Sequence, residues 1–446
     1  MHPLSLPIRE YSTEEEDLLA YGVDASGLRG RAAAVAWPRN VAEVVALLRH
    51  CHEHRLPVVP RGAGTATTAA AVPVEGGVLL SLEHMGRILE IDPSNLLAVV
   101  EPGVINGRLQ RELREMGLFY PPDPASLEFS TLGGNVATNA AGPRALKYGT
   151  TRDHVLALEA VLPSGGLISV GRRTPKGVVG YDLARLLVGS EGTLAVFTRL
   201  VLKVLPRPEG LITLLALFKD LGAVGRAVEA TLRAGIIPRC MELMDRACLE
   251  AVEEHTPLGL ASWAQALLLV ELDGPEAALS EEAQRLAELL GKAGAELQVA
   301  QEEQARERLW QARRALSPAL YERCPHKKAH DVVVPRSRMT EMLVFLRQLS
   351  ELRGLPIATF GHAGDGNLHV NLLPQEEHIR GLQQIERELF QKVLSLGGTI
   401  SGEHGVGLTK RPYMDMELGP AELSLMKGIK GVFDPQGLLN PGKALP

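Results

Sequence analysis

Apolar and polar positions follow two styles along the chain, and the change falls at Pro208. Before it, short apolar runs bounded by glycine and proline predict strands at Leu56 to Pro60, Gly77 to Leu82, Leu96 to Val100 and Leu194 to Leu205. Between them, Val41, Val44, Val45 and Leu48 share one face of a helix, and Asn40 stands where a side-chain cap belongs. Gly107 to Glu115 also reads as helix. Val155 to Leu162 and Leu167 to Val170 flank Pro163-Ser164-Gly165-Gly166, a hairpin pattern. After Pro208, Leu211 to Phe218 and Ala266 to Leu272 read as strands, Glu276 to Gln311 as a charged helical stretch, and the tail from Ala421 as a helix. Residues 1 to 37 read as a helical lead-in. The predicted class is α+β, with a second α+β domain after Pro208.

The length, 446 residues, exceeds one ordinary core and predicts two or three domains. Apolar residues make up 45% and charged residues 22%, a globular balance. The net charge of −6 argues against nucleic acid as the main partner. No apolar run reaches membrane-spanning length, and the start of the chain lacks a secretory pattern, so the expected location is cytoplasmic. Cys51, Cys240, Cys248 and Cys324 form no Cys-x-x-Cys pair. They read as buried thiols rather than cluster ligands, so any further electron carrier belongs to another molecule.

Four segments carry candidate chemistry. Pro60-Arg61-Gly62-Ala63-Gly64-Thr65 follows a strand, and its small residues let backbone amides approach a diphosphate. Alone it reads more readily as a strand-ending turn, because short glycine patterns are weak evidence. Thr67 stands where a dinucleotide fingerprint needs its third glycine, which disfavours a nicotinamide-binding unit. Thr131 to Gly142 is uncharged and small, suited to lie against a flat cofactor or to pack as a core loop. In Gly361 to His369 two histidines stand seven apart, on opposite faces of a straight strand, and the glycines between permit a bend. In Ser401 to Gly407, Glu403 could complete a two-histidine, one-carboxylate set for a divalent metal.

Together these residues resemble the FAD-linked oxidase family that contains the glycolate oxidase GlcD subunit, D-lactate dehydrogenases and D-2-hydroxyglutarate dehydrogenase. The motifs stand in the family's order from residue 38 onward: Pro60 to Thr65, Pro122 to Ser126, Gly133 to Asn139, Gly189 to Leu194, Gly361 to His369, Gly402 to Gly405 and Leu439 to Lys443. The resemblance implies a two-lobed FAD domain of the PCMH type over 38–208, a substrate domain with an antiparallel sheet over 209–410, and a segment 411–446 returning to the FAD domain. It implies that Pro60, Arg61, Gly62, Ala63, Gly64 and Thr65 hold the FAD diphosphate. Pro122, Ser126, Gly134, Asn135, Thr138, Asn139, Glu191, Gly192 and Val196 would line the cofactor, with Asn440 near the isoalloxazine. His362, His369 and Glu403 match the metal ligands, expected to hold zinc or manganese, and His404 matches the catalytic histidine. Arg314 is the first choice for a carboxylate clamp and Arg313 the second.

The implied activity is oxidation of a small D-2-hydroxy acid on non-covalent FAD with help from the metal. The diphosphate loop has no histidine for a covalent flavin link. The electron acceptor would be separate: an iron–sulfur subunit, an electron-transfer flavoprotein or a quinone-linked protein, with peripheral membrane association through it. A homodimer is compatible. Two alternatives are a non-catalytic flavin subunit of a larger complex and a metal-dependent hydrolase using the same histidines. Two departures from the family pattern stand out. Ala66-Thr67-Thr68-Ala69-Ala70 replaces a glycine-rich continuation, so positions needing positive φ are expected to be strained and FAD affinity lower. Ala329 replaces a lysine of some relatives, two residues before Asp331.

Overall fold

A computed structural model describes residues 5–73, 76–259 and 262–445. The chain packs as two compact units. The first takes the residues up to Gly142, Gly149–Arg207 and everything from Glu403 onward; the second takes Pro143–Tyr148 and Pro208–Gly402. The return to the first unit therefore begins at Glu403, before the expected 411, and six residues ahead of Gly149 belong to the second unit.

The first unit contains two main sheets. One has four strands in the order Tyr11–Ser12, Ala34–Ala36, Val78–Ser81, Val58–Arg61, the last three mutually parallel. The helix Val41–Glu53 covers it, capped by Asn40, whose side chain accepts from the Glu43 amide at 3.0 Å. Leu47, Val44, Val58, Val78 and Leu80 close this core. The other sheet is antiparallel, in the order Ile88–Asp92, Leu97–Val100, Val196–Lys203, Val155–Val161, Leu167–Gly171. Helices Asn106–Glu115 and Leu132–Thr138 bury Leu109, Leu113, Leu132 and Val136 in its core. The chain tail returns beside Val58: the Val58 amide donates to the Leu438 carbonyl, and the Asn440 amide to the Val58 carbonyl.

The lead-in differs from expectation. It contains one seven-residue helix, Glu15–Tyr21, and two strands of the four-stranded sheet; residues 1–4 lie outside the described residues. The run Arg31-Ala32-Ala33-Ala34-Val35-Ala36 has helical propensity, yet Ala34–Ala36 are wholly buried against Val78–Leu80. Tertiary pairing overrides the local preference.

In the second unit one antiparallel sheet of seven strands runs Glu296–Ala300, Gly210–Phe218, Ala266–Gly274, Cys240–Asp245, Ile357–His362, Asn367–Leu372, Lys328–Val333. Helices Arg246–His255 and Glu303–Arg323 cover one face through Leu249, Val252, Leu316 and Leu320. The charged stretch from Glu276 is two helices with the edge strand Glu296–Ala300 between them. Gly294, at φ 93°, ends the first helix, and four of the strand's five residues are at least partly exposed, so an apolar run never announces it.

Candidate active site

The loop Gly62 to Thr65 leaves the end of the Val58–Arg61 strand and opens a cleft in the first unit. The cleft holds about 1290 Å³ of empty space, its open mouth included. Pro60, Arg61, Gly62, Ala63, Gly64, Thr65, Ser126, Gly134, Asn135, Thr138, Glu191, Gly192 and Val196 all line it. Its wall also includes Thr67, Ala70, Thr131, Gly133, Glu403 and His404.

Several contacts show why these residue types are needed. A Cβ on Gly62 would lie 2.2 Å from Thr131 Oγ1, and one on Gly133 would lie 2.6 Å from the Pro102 ring. Thr131 caps Leu132–Thr138 by accepting from the Gly134 amide at 3.2 Å. The segment expected to lie against a flat cofactor or to pack as a core loop is a short helix, with Asn139 ending it at φ 52°. The side-chain amide of Asn135 is buried and donates to no described group. An unsatisfied buried donor is costly, and an acceptor on a cofactor ring would satisfy it.

Three predicted cofactor residues stand behind the lining instead. The Pro122 carbonyl accepts from Asn106 and Gln110, each at 3.2 Å. Asn139 Oδ1 accepts from the Arg152 amide at 2.9 Å and Thr150 Oγ1 at 3.0 Å. Asn440 is 2% exposed and donates to the carbonyls of Ala70 at 3.0 Å and Glu191 at 2.7 Å. It braces two walls of the cleft against each other. Lys443 adds a bond to the Val72 carbonyl, and burial pushes its ammonium down to about 8.

Arg61 lines the cleft, but its guanidinium is committed elsewhere. Nη1 donates to the Val23 carbonyl at 2.7 Å, and the group lies 5.6 Å from the Tyr21 ring centroid. Burial lowers its pKa, opposed by Asp24, Tyr21 and Glu83. Support for the loop thus comes from residues 21–25, where the sequence showed no chemistry; the Ala25 amide also donates to the Gly64 carbonyl. Within Ala66 to Ala70, Ala69 alone takes positive φ, at 62°, fully buried. A left-handed alanine stores on the order of 1–2 kcal/mol, so the expected strain is concentrated at this one position.

Glu191 does more than line the cleft. Its buried carboxylate accepts from the amides of Val406 and Gly407, each at 2.8 Å. Burial raises its pKa, and those two bonds and Lys410 and Lys443 oppose the rise. Thr68 binds the same segment, its hydroxyl donating to the His404 carbonyl at 3.3 Å and its carbonyl accepting from the Leu408 amide. Together they fix the backbone that carries His404.

In the second unit the register resolves the histidine pair. Ile357–His362 and Asn367–Leu372 form a hairpin in which Phe360 faces His369. Residues two apart on a strand share a face, so His362, Phe360 and His369 point the same way. The imidazole centroids of His362 and His369 lie 5.2 Å apart, both rings buried. The tight turn between the strands reverses the chain, which a straight strand could not do. Asp331 faces His369 from the other side and accepts from Asn367 Nδ2 and from the Gly402 amide, the latter at 2.9 Å.

Glu242 faces His362 from the Cys240–Asp245 strand. One oxygen lies 2.6 Å from His362 Nδ1, and the other accepts from Arg313 Nε at 2.8 Å. Burial raises its pKa, but His362 and Arg313 outweigh that and hold it at about 2. Arg313 also lies 4.6 Å from the Phe360 ring centroid. Arg314, the first choice from sequence, is 54% exposed and pairs with Glu307 at 2.8 Å on the outer side of its helix. Successive helix residues diverge by about 100°, so only one of the two arginines can face the sheet, and it is Arg313.

A cleft walled by most of the predicted cofactor residues, with a histidine in its wall, fits a flavin-dependent oxidoreductase. The chain belongs to the FAD-linked oxidase family. Residues 32–171 match the FAD binding domain, and residues 207–444 match the C-terminal domain of FAD linked oxidases. It is 42% identical over 430 residues to the glycolate oxidase subunit GlcD of Bacillus subtilis (strain 168), covering 95% of this chain and 92% of that one. It is 36% identical over 422 residues to D-lactate dehydrogenase of Anaerostipes hadrus, covering 91% and 87%. Its fold is similar to that of p-cresol methylhydroxylase, with a TM-score of 0.78 at 17% identity over 97% of this chain and 93% of that one. It is an FAD-dependent oxidoreductase of PCMH-type fold, which sets aside the metal-dependent hydrolase. No helix among the described residues is long and apolar enough to cross a membrane.

Proposed function

We propose that this protein oxidises a small D-2-hydroxy acid, of the glycolate, D-lactate or D-2-hydroxyglutarate class, to the 2-oxo acid. One observation carries the reading: two histidines fit to ligate a cation and one arginine fit to bind an anion share a single face of the second unit's sheet, with Phe360 beside all three. A 2-hydroxy acid presents the matching pair, a carboxylate and an adjacent hydroxyl.

His362, His369 and Glu403 would hold a divalent ion, zinc or manganese; two imidazoles and a carboxylate suit either. Glu403 follows Gly402 directly, and Gly402 is bonded to Asp331, the partner of His369 across the strands. When bound, FAD supplies a two-electron acceptor and the divalent ion a Lewis acid for the substrate hydroxyl. Arg313 binds the substrate carboxylate by a charge-assisted fork. His404 accepts the hydroxyl proton at its imidazole, and its backbone is held by Glu191 and Thr68.

The similarity to proteins named as glycolate oxidase subunits supports transfer of electrons to a separate acceptor. The chain's four cysteines are free. An iron–sulfur subunit, an electron-transfer flavoprotein or a quinone-linked protein would serve, the last at the inner face of the membrane.

Steady-state turnover with a dye acceptor tests the reading. Glycolate or a D-acid should be oxidised and the L-enantiomers ignored. Dialysis against a chelator should remove at least nine-tenths of the activity, and zinc or manganese should restore it. Full activity in verified metal-free protein would defeat the metal assignment.

A further inference from the structure

We propose that Glu242 is a positioning residue that sets both ends of the substrate site at once, orienting His362 toward a cation and Arg313 toward the substrate carboxylate. The inference rests on the function proposed above and assigns a residue that no motif singled out.

The geometry is specific. Glu242 is 0% exposed, at the centre of the seven-stranded sheet, with Leu269 facing it on one side and His362 on the other. Its two oxygens divide their work: Oε1 takes His362 Nδ1 at 2.6 Å and Oε2 takes Arg313 Nε at 2.8 Å. A buried carboxylate is a poor way to stabilise a sheet, because an apolar residue of similar volume usually does as well or better. What a carboxylate alone provides here is acceptance from two donors at once.

Each bond has a chemical consequence. An imidazole that donates through Nδ1 carries its lone pair on Nε2, on the far side of the ring, and is thereby set as a ligand. A guanidinium held through Nε keeps both Nη groups for a carboxylate fork. Phe360 completes the second arrangement: it stands two residues before His362 on the same face, and the Arg313 guanidinium packs over it. Arg313 is held on two sides and presents the remaining edge. One side chain therefore ties the orientation of the cation ligand to that of the anion clamp.

Glu242→Gln separates these roles. The amide keeps the shape but accepts at one end only, so either His362 or Arg313 meets an N–H. Zinc or manganese is titrated into chelator-stripped, FAD-loaded protein, and KM and kcat for the best hydroxy acid are measured on reloaded enzyme. Metal affinity should fall 10–100-fold, as for other partners of metal-bound histidines, and KM should rise at least ten-fold while FAD content is unchanged. Glu242→Asp keeps the charge at shorter reach and should recover part of both losses. A merely structural glutamate would lower the thermal midpoint of both variants and leave metal affinity and KM as in wild type, which overturns the assignment. Should wild type bind neither ion, the metal reading fails by itself and KM decides: a ten-fold rise in Glu242→Gln sustains the orienting role, and an unchanged value ends it.

Discussion

Replacing His404 by alanine is expected to reduce turnover by a factor on the order of 10²–10⁴, the usual contribution of a positioned general base, with FAD still bound in full. The expectation follows from how the residue is held. Its carbonyl is bonded to Thr68, and the amides two and three residues on are bonded to Glu191. The backbone is thus fixed independently of the imidazole, and removing the ring leaves the cleft wall intact. Retained colour with lost turnover separates a proton acceptor from a cofactor ligand. Rates within ten-fold of wild type would remove His404 from the chemistry.

The second large effect distinguishes two neighbouring arginines. Arg313→Ala should lower kcat/KM by about 10²-fold or more, in line with about 3 kcal/mol for loss of a charge-assisted contact in a buried site. Arg314→Ala should leave it within about two-fold, since an exposed pair such as Arg314–Glu307 contributes little. Arg313→Lys should recover only part of the loss, because an ammonium cannot bind Glu242 and a carboxylate fork at once. The reverse ranking, with Arg314 the sensitive position, would contradict the placement of the helix face.

That choice was readable in the sequence by a rule that the motif comparison bypassed. Leu309, Leu316 and Leu320 mark the apolar stripe of Glu303–Arg323, and position 313 falls on it at i+4 from Leu309 while 314 does not. The strands with continuous Val, Leu and Ile runs were equally legible, because burial on both faces leaves no polar position to confuse the pattern. Three features were not. The alanines of Ala34–Ala36 carry no strand preference of their own and depend on Val78–Leu80. Glu296–Ala300 sits at a sheet edge with little apolar content. For the histidine pair the glycines allowed a bend, but the spacing did not say where it falls; the hairpin turn at 363–366 gives the two a common face. Glu242 lies in no motif, and its role follows only from a pairing register that connects positions 120 residues apart.

The strained Ala69 shows where a family pattern and a particular chain part company. The backbone is left-handed although alanine, not glycine, stands there. Asn440 and Lys443 hold the neighbouring carbonyls of Ala70 and Val72, so tail contacts brace the distorted loop.

The most direct test is anaerobic mixing of the purified, FAD-loaded protein with glycolate, D-lactate or D-2-hydroxyglutarate, followed through the visible flavin band. Bleaching by one of these acids, with one 2-oxo acid formed per flavin and no bleaching by the L-enantiomer, is the predicted result. A yellow protein whose band persists with every one of these substrates would contradict the account.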